Sequence, residues 1–108
     1  MSQYHLGEFE EVVLLTVAIL NGEAYGVSVI DEMEKRLNRK VSIGALQTVL
    51  RRLEKKGLLT SVFGEATQIR GGKRKRYFNV TENGQKILNK VKDQRLALWR
   101  AIPEIAFK

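Results

Sequence analysis

Residues 42–80 read SIGALQTVLRRLEKKGLLTSVFGEATQIRGGKRKRYFNV, one amphipathic helix running straight into a basic β-hairpin. Ser42 is suited to cap the helix, because its hydroxyl can take a free amide of the first turn. Leu46, Val49, Leu50 and Leu53 recur at helical spacing and define an apolar side. Gly44, Thr48, Arg51 and Lys55 fall on the opposite side, with Gln47 at its edge and Arg52 next to Arg51. Gly57 supplies a stop of the kind helices commonly use. Two extended runs follow, Leu59–Phe63 and Arg76–Val80, and four consecutive cations, Lys73, Arg74, Lys75 and Arg76, lead into the second. A helix with small, amide and guanidinium groups outward fits a major groove, and a cationic hairpin beside it reaches the flanking backbone. Taken singly, a cationic helix face is more often a solvated one, and a basic glycine-rich loop more often only a loop. The two in succession, behind another short amphipathic helix, favour the duplex reader.

Upstream, residues 25–38 form that preceding helix. Gly26, Val29, Ile30, Met33 and Leu37 make its inward stripe, and Asp31, Glu32, Glu34, Lys35 and Arg36 face water. The connection to Ser42 is short, which sets the two helices at an angle, as in a helix-turn-helix. Tyr25 stands at the helix start, where free amides can hold a phosphate oxygen, and is a further candidate DNA contact. A helix from about Glu8 to Leu20 comes first, stopped by Asn21–Gly22. From Val12 on, every residue but Thr16 is apolar, and a helix apolar all round asks for cover all round. Downstream, Thr81 caps a fourth helix that runs to about Ala101 and ends at Pro103. Ile87, Leu88, Val91, Leu98, Trp99 and Ile102 form its stripe, interrupted by Arg95.

The fold class expected is mainly α with a small β-hairpin: a winged helix-turn-helix over residues 1–80 and a C-terminal dimerisation helix and tail over 81–108. A small chain cannot bury both the first helix and the long fourth stripe. A two-fold homodimer can, by crossing the fourth helix of each subunit over the first helix of the other. The expected seam is Val12, Val13, Leu15 and Ile19 with Ile87, Leu88, Val91, Leu98, Trp99 and Ile102. Such a dimer sets its two recognition helices about 34 Å apart, one DNA turn, which calls for a pseudo-palindromic operator.

The chain has 108 residues and a formal net charge of +7. Residues 1–34 hold seven acids and no lysine or arginine; all nineteen cations lie in 35–108 against five acids, so −7 faces +14. That polarity favours a polyanion for one side of the molecule. An anionic membrane surface has the same attraction, so charge alone does not select nucleic acid. Cysteine is absent and His5 is the only histidine, which removes disulfides, thiol catalysis and most metal sites. GGKRK is no phosphate-cradling loop, since Arg74 stands where a serine or threonine must hold magnesium. No enzyme, cofactor or metal is expected. No apolar run is long enough to span a bilayer and the N-terminus has no signal-peptide pattern, so the expected location is the cytoplasm. Single-stranded RNA readers need exposed aromatic platforms, and the aromatics here sit mostly at core-type positions. The serious alternative is a winged-helix protein-interaction module without DNA binding, which would carry apolar residues on the outer face of residues 42–56.

The segments LGEFEEVVLLTVAIL, EAYGVSVIDEME, VSIGALQTVLRRLEKKGLL and GGKRKRYFNVTENGQ together resemble the PadR-like transcriptional regulators, over roughly Leu6 to Leu88. The resemblance implies a cytoplasmic homodimeric repressor of the short branch, with one C-terminal helix that packs on the partner's first helix. Many members carry tyrosine where this chain has Gln47 and threonine where it has Ala45. Because glutamine pairs bidentately with adenine, the base preference is expected to differ. Some members bind flat aromatic compounds between the subunits, and by that resemblance Trp99 is a candidate effector contact.

Overall fold

The computed structural model describes residues 5–64 and 74–107. Four helices and one hairpin follow in order: α1 (Glu8–Leu20), α2 (Gly26–Leu37), α3 (Ile43–Lys55), β1 (Leu59–Phe63), β2 (Arg76–Val80) and α4 (Glu82–Ala101), then a 3-10 turn at Glu104–Phe107. Each boundary has a local cause. The Ser42 hydroxyl accepts from the Ala45 amide at 3.1 Å and the Thr81 hydroxyl from the Gly84 amide at 3.0 Å, so both side chains satisfy a donor that the helix leaves free. Asn21 (φ 43°) and Asn38 (φ 52°) end α1 and α2 in the left-handed conformation that asparagine tolerates, and Gly57 (φ 79°) follows α3.

α1, α2 and α3 close around one core. Val13, Leu14 and Val17 meet Val29 and Met33 of α2 and Leu46, Val49, Leu50 and Leu53 of α3, and Leu58, Leu59 and Phe78 seal the hairpin side. β1 and β2 pair antiparallel in the register Leu59↔Val80 to Phe63↔Arg76. A bridge from Phe78 N–H to Ala24 O (2.8 Å) fastens β2 to the entry of α2. This is a winged helix-turn-helix with a C-terminal helix.

As expected of so small a chain, α1 is covered on one side only: Leu15 and Ile19 are 44% and 49% exposed, because α2, α3 and the base of α4 reach only part of its circumference. Two expectations need correction. Val13 faces that covered side and is fully buried, so it has no surface left for a second chain. Leu37, on the last turn of α2, is exposed rather than inward; it lines an open groove beside Val12, Leu15 and Ile19 of α1.

α4 seats its first turns on the body and then leaves it. Ile87 and Leu88 pack against the core, whereas Leu98 and Trp99 are more than three-fifths exposed. Twenty residues at about 1.5 Å each make a rod of about 30 Å, about half the longest dimension of a molecule measuring 60 × 34 × 21 Å. Among the described residues, no helix is long and apolar enough to cross a membrane.

Candidate nucleic-acid interface

α3 puts Leu46, Val49, Leu50 and Leu53 into the core, and that fixes what faces outward. Gly44, Thr48, Arg51 and Lys55 are all exposed, as the periodicity predicts. The Thr48 hydroxyl donates to Gly44 O at 3.1 Å, so its methyl is the part turned away from the backbone. No atom lies within 4 Å of where a Gly44 Cβ would stand, so the first turn of α3 is open to close approach. Arg51 and Lys55 form no ion pair with any described residue and keep their full charge for a ligand.

Gln47 is half-buried at the start of α2: its Nε2 lies 3.5 Å from the position a Gly26 Cβ would take. It sits between the two helices rather than squarely on the outer face. Arg52 turns the other way, toward α1, with Nη1 3.9 Å from Glu10 Oε2. Lys56 Nζ donates to the same oxygen at 2.8 Å, and the Gly7 amide donates to Glu10 Oε1 at 3.0 Å. Burial pushes the Glu10 carboxyl up. The hydrogen bonds from Lys56 and Gly7 and the charges of Lys56 and Arg52 outweigh it, and the group rests below its ordinary value. Glu10 thus ties α1 to the end of α3. No sequence motif marks it; only the helical register of α1 turns it inward.

The hairpin divides the basic block that the sequence presents as one. Lys73 lies outside the described residues. Arg74 is exposed. Lys75 Nζ sits 4.3 Å above the Tyr25 ring, which also meets Tyr77 edge-on at 5.6 Å. Tyr25 is therefore a half-buried prop at the start of α2, with the wing leaning on it. Arg76 departs from the expectation of a backbone contact. Its Nη2 donates to Glu54 Oε1 at 3.0 Å and its Nε to Ser61 Oγ at 2.9 Å, while Ser61 Oγ donates to Glu54 Oε2 at 2.6 Å. Strand alternation is the reason: Arg76 shares a face with buried Phe78 two residues on, and that face looks at α3.

The expected dimer residues divide by exposure. Leu15, Ile19, Leu98 and Trp99 are exposed, and Val12, Ile87, Leu88, Val91 and Ile102 are half-buried. A groove of about 470 Å³ runs between α1 and α4, walled by Leu15, Leu88, Leu96 and Trp99 with Glu11 and Arg95 at its edge. Arg95 Nη2 donates to Glu11 Oε1 at 2.8 Å across it, and the Glu11 carboxylate holds the guanidinium above its ordinary value.

The comparisons agree with this geometry. The profile of the family described as "Transcriptional regulator PadR-like family" matches residues 14–90. An uncharacterized protein of Lysinibacillus sphaericus is 30% identical over 101 residues, covering 92% of this chain and 84% of that one. A solved PadR-like transcription factor from Bacteroides fragilis superposes with a TM-score of 0.72 at 27% identity, over 85% of this chain and 84% of that one. A PadR family transcriptional regulator from Eggerthella lenta superposes at 0.68 with 26% identity, over 86% and 80%.

Proposed function

Because the chain belongs to the PadR-like family of transcriptional regulators, we propose that it is a repressor that reads double-stranded DNA as a homodimer on a pseudo-palindromic operator. The observation that carries this reading is the outer face of α3. A helix that protrudes with glycine, threonine, arginine and lysine outward, and a hairpin at its end, is the shape and charge a major groove accepts. In that reading Thr48 and Arg51 contact base edges, Gln47 reaches the groove from its seat beside Gly26, and Ser42 and Gly44 let the helix start approach a phosphate. Lys55, Arg74 and Lys75 lie toward the backbone, with Tyr25 behind Lys75, whereas Arg52, turned toward Glu10, takes no part. The same face argues against a protein-interaction module, which would present apolar groups there.

What a single chain leaves uncovered supports the dimer. Leu15, Ile19, Leu98 and Trp99 are large, apolar and exposed, and two copies related by a two-fold axis can cover them mutually. Without the pairing, one recognition helix alone would offer too little contact for a specific site. The test is footprinting on the DNA upstream of the protein's own gene. Two protected half-sites with centres about 10 base pairs apart are expected. Uniform, salt-sensitive coverage without a defined boundary would leave only non-specific polyanion binding.

A further inference from the structure

We propose that Arg76 is a positioning residue that locks the wing to the recognition helix, and that its charge is already spent inside the protein and does not count toward phosphate binding. The inference rests on the DNA-binding reading above and deepens it. Three elements meet at this side chain. Glu54 comes from the last turn of α3, Ser61 from β1 and Arg76 from β2. The Glu54 carboxylate accepts from Arg76 Nη2 through Oε1 (3.0 Å) and from Ser61 Oγ through Oε2 (2.6 Å), and Arg76 Nε closes the ring on Ser61 Oγ (2.9 Å). Two guanidinium nitrogens and both carboxylate oxygens are used. The guanidinium carbon also lies 5.4 Å and 5.7 Å from the ring centres of Phe63 and Phe78, which hold its plane from the strand side.

The consequence is mechanical. The ribbon is fastened to the entry of α2 by the Phe78–Ala24 bridge and leans on Tyr25, so its angle to α3 is set by a contact that reaches α3 itself. The Arg76–Glu54–Ser61 ring is such a contact, and its planar fork fixes direction as well as distance. It also removes one positive charge from the basic block. Paired with a carboxylate 3.0 Å away, Arg76 presents little net charge to a phosphate, unlike Arg74 two residues earlier. The wing therefore holds two kinds of cation, one for DNA and one for its own geometry.

The test compares Arg76→Ala, Glu54→Gln and Arg74→Ala on a duplex selected by the wild-type protein from a random library and on a scrambled duplex of equal composition. Each phosphate contact contributes about 0.9 to the slope of log affinity against log salt. Arg74→Ala is expected to flatten the slope by about that amount while keeping the ratio of selected to scrambled binding. Arg76→Ala is expected to keep the slope and cut the ratio roughly three- to tenfold, the range for a charged hydrogen bond that is half in solvent. Glu54→Gln is the decisive partner. It makes the protein more positive, yet it should cut the ratio as Arg76→Ala does. A second readout needs no DNA: amide exchange in β1 and β2 should quicken in both variants while α1 and the core of α3 keep their protection. The proposal is overturned if Arg76→Ala lowers the slope by about 0.9 with the ratio intact, if Glu54→Gln tightens binding to both duplexes alike, or if hairpin exchange does not change. Should the wild-type protein select no duplex, the DNA-binding reading fails by itself, and the exchange arm still decides whether Arg76 holds the wing.

Discussion

Replacing Gly84 by alanine sets two opposing effects against each other. An ideal Cβ there would stand 2.4 Å from Leu58 O and 2.8 Å from Val80 Cγ1. Carbon–oxygen contacts ordinarily stop near about 3.3 Å, so the first turn of α4 would have to retreat by about 1 Å. The obstacle is main chain, and that main chain is engaged. Leu58 O accepts from the Thr81 amide at 3.0 Å, and the Thr81 hydroxyl donates to Gly57 O at 2.7 Å while it caps Gly84. Overpacking of this kind costs about 1–3 kcal/mol, and disturbing the cap about 1 kcal/mol more. The better helix propensity of alanine returns at most about 1 kcal/mol. The clash wins, and a net loss of about 2 kcal/mol is expected, which lowers Tm by roughly 8–16 °C in a domain of this size. Thermal melts at one fixed protomer concentration measure it, since a dimer's Tm moves with concentration. Gly44→Ala is the internal control. Its Cβ meets nothing within 4 Å, so propensity acts alone and stability should rise by up to about 1 kcal/mol. If Gly84→Ala melted at or above the wild type, α4 would not be seated on Leu58 as described.

Four further outcomes are expected. Arg51→Ala should weaken operator binding by about 1–3 kcal/mol and relax base preference at one position per half-site, read by competition with single-base operator variants; wild-type affinity would refute the docking. Glu10 rests below its ordinary value of 4.5, so its contribution is complete above that pH and is lost as pH falls through the lower folded value. Glu10→Gln should therefore be less stable than wild type at pH 7 and show a shallower loss below about pH 4.5, and parallel pH–stability curves would count against the Lys56 pairing. Val91→Glu places a carboxylate in the proposed seam at a cost of several kcal/mol, so sedimentation should find it monomeric or unfolded; a wild-type chain running as a folded monomer at micromolar concentration would end the dimer reading. Flat aromatic cations should quench Trp99 fluorescence and compete with DNA, as expected for a ligand entering the groove beside Leu15 and Leu96 near Glu11, and the absence of both effects would leave Trp99 as interface packing.

The elements and their ends were legible because each rests on local chemistry. Ser42, Thr81, Asn21, Asn38 and Gly57 are boundary residues by type, and the apolar spacing of Leu46 to Leu53 chose the inner face of α3. What escaped the sequence is whatever depends on a neighbour distant in the chain. Gly84 lies in a helix pattern that gives glycine no evident purpose; only the approach of Leu58, 26 positions earlier, explains it. Glu10 looks like one more acid of a charged helix start until Lys56 is placed beside it. Lys73 to Arg76 read as one run, although strand alternation contained the hint that Arg76 shares the face of Phe78.

The charge division between the two parts of the chain acquires a different meaning in three dimensions. Read along the sequence, seven acids followed by nineteen cations describe an acidic end and a basic remainder. In the fold, three of those acids act as counter-ions between elements, besides Glu32, which pairs with Arg36 inside α2. Glu8 accepts from Arg39 at 2.9 and 3.1 Å, Glu10 holds Lys56 and Arg52, and Glu11 holds Arg95. Glu54 does the same for Arg76 from within the basic part. Each pair joins elements that are not adjacent in sequence, α1 to the entry and exit of α3 and to α4, and α3 to the wing. The acids thus cancel part of the positive charge away from the outer face of α3, although Lys86, Lys90, Lys92 and Arg100 of α4 are in no ion pair among the described residues. Arg51, Lys55 and Arg74 stand outside these pairs, on the outer face of α3 and the wing. The direction of the attraction is set by which cations are neutralised at least as much as by how many there are, so removing Glu8 or Glu11 should raise non-specific affinity without improving operator recognition.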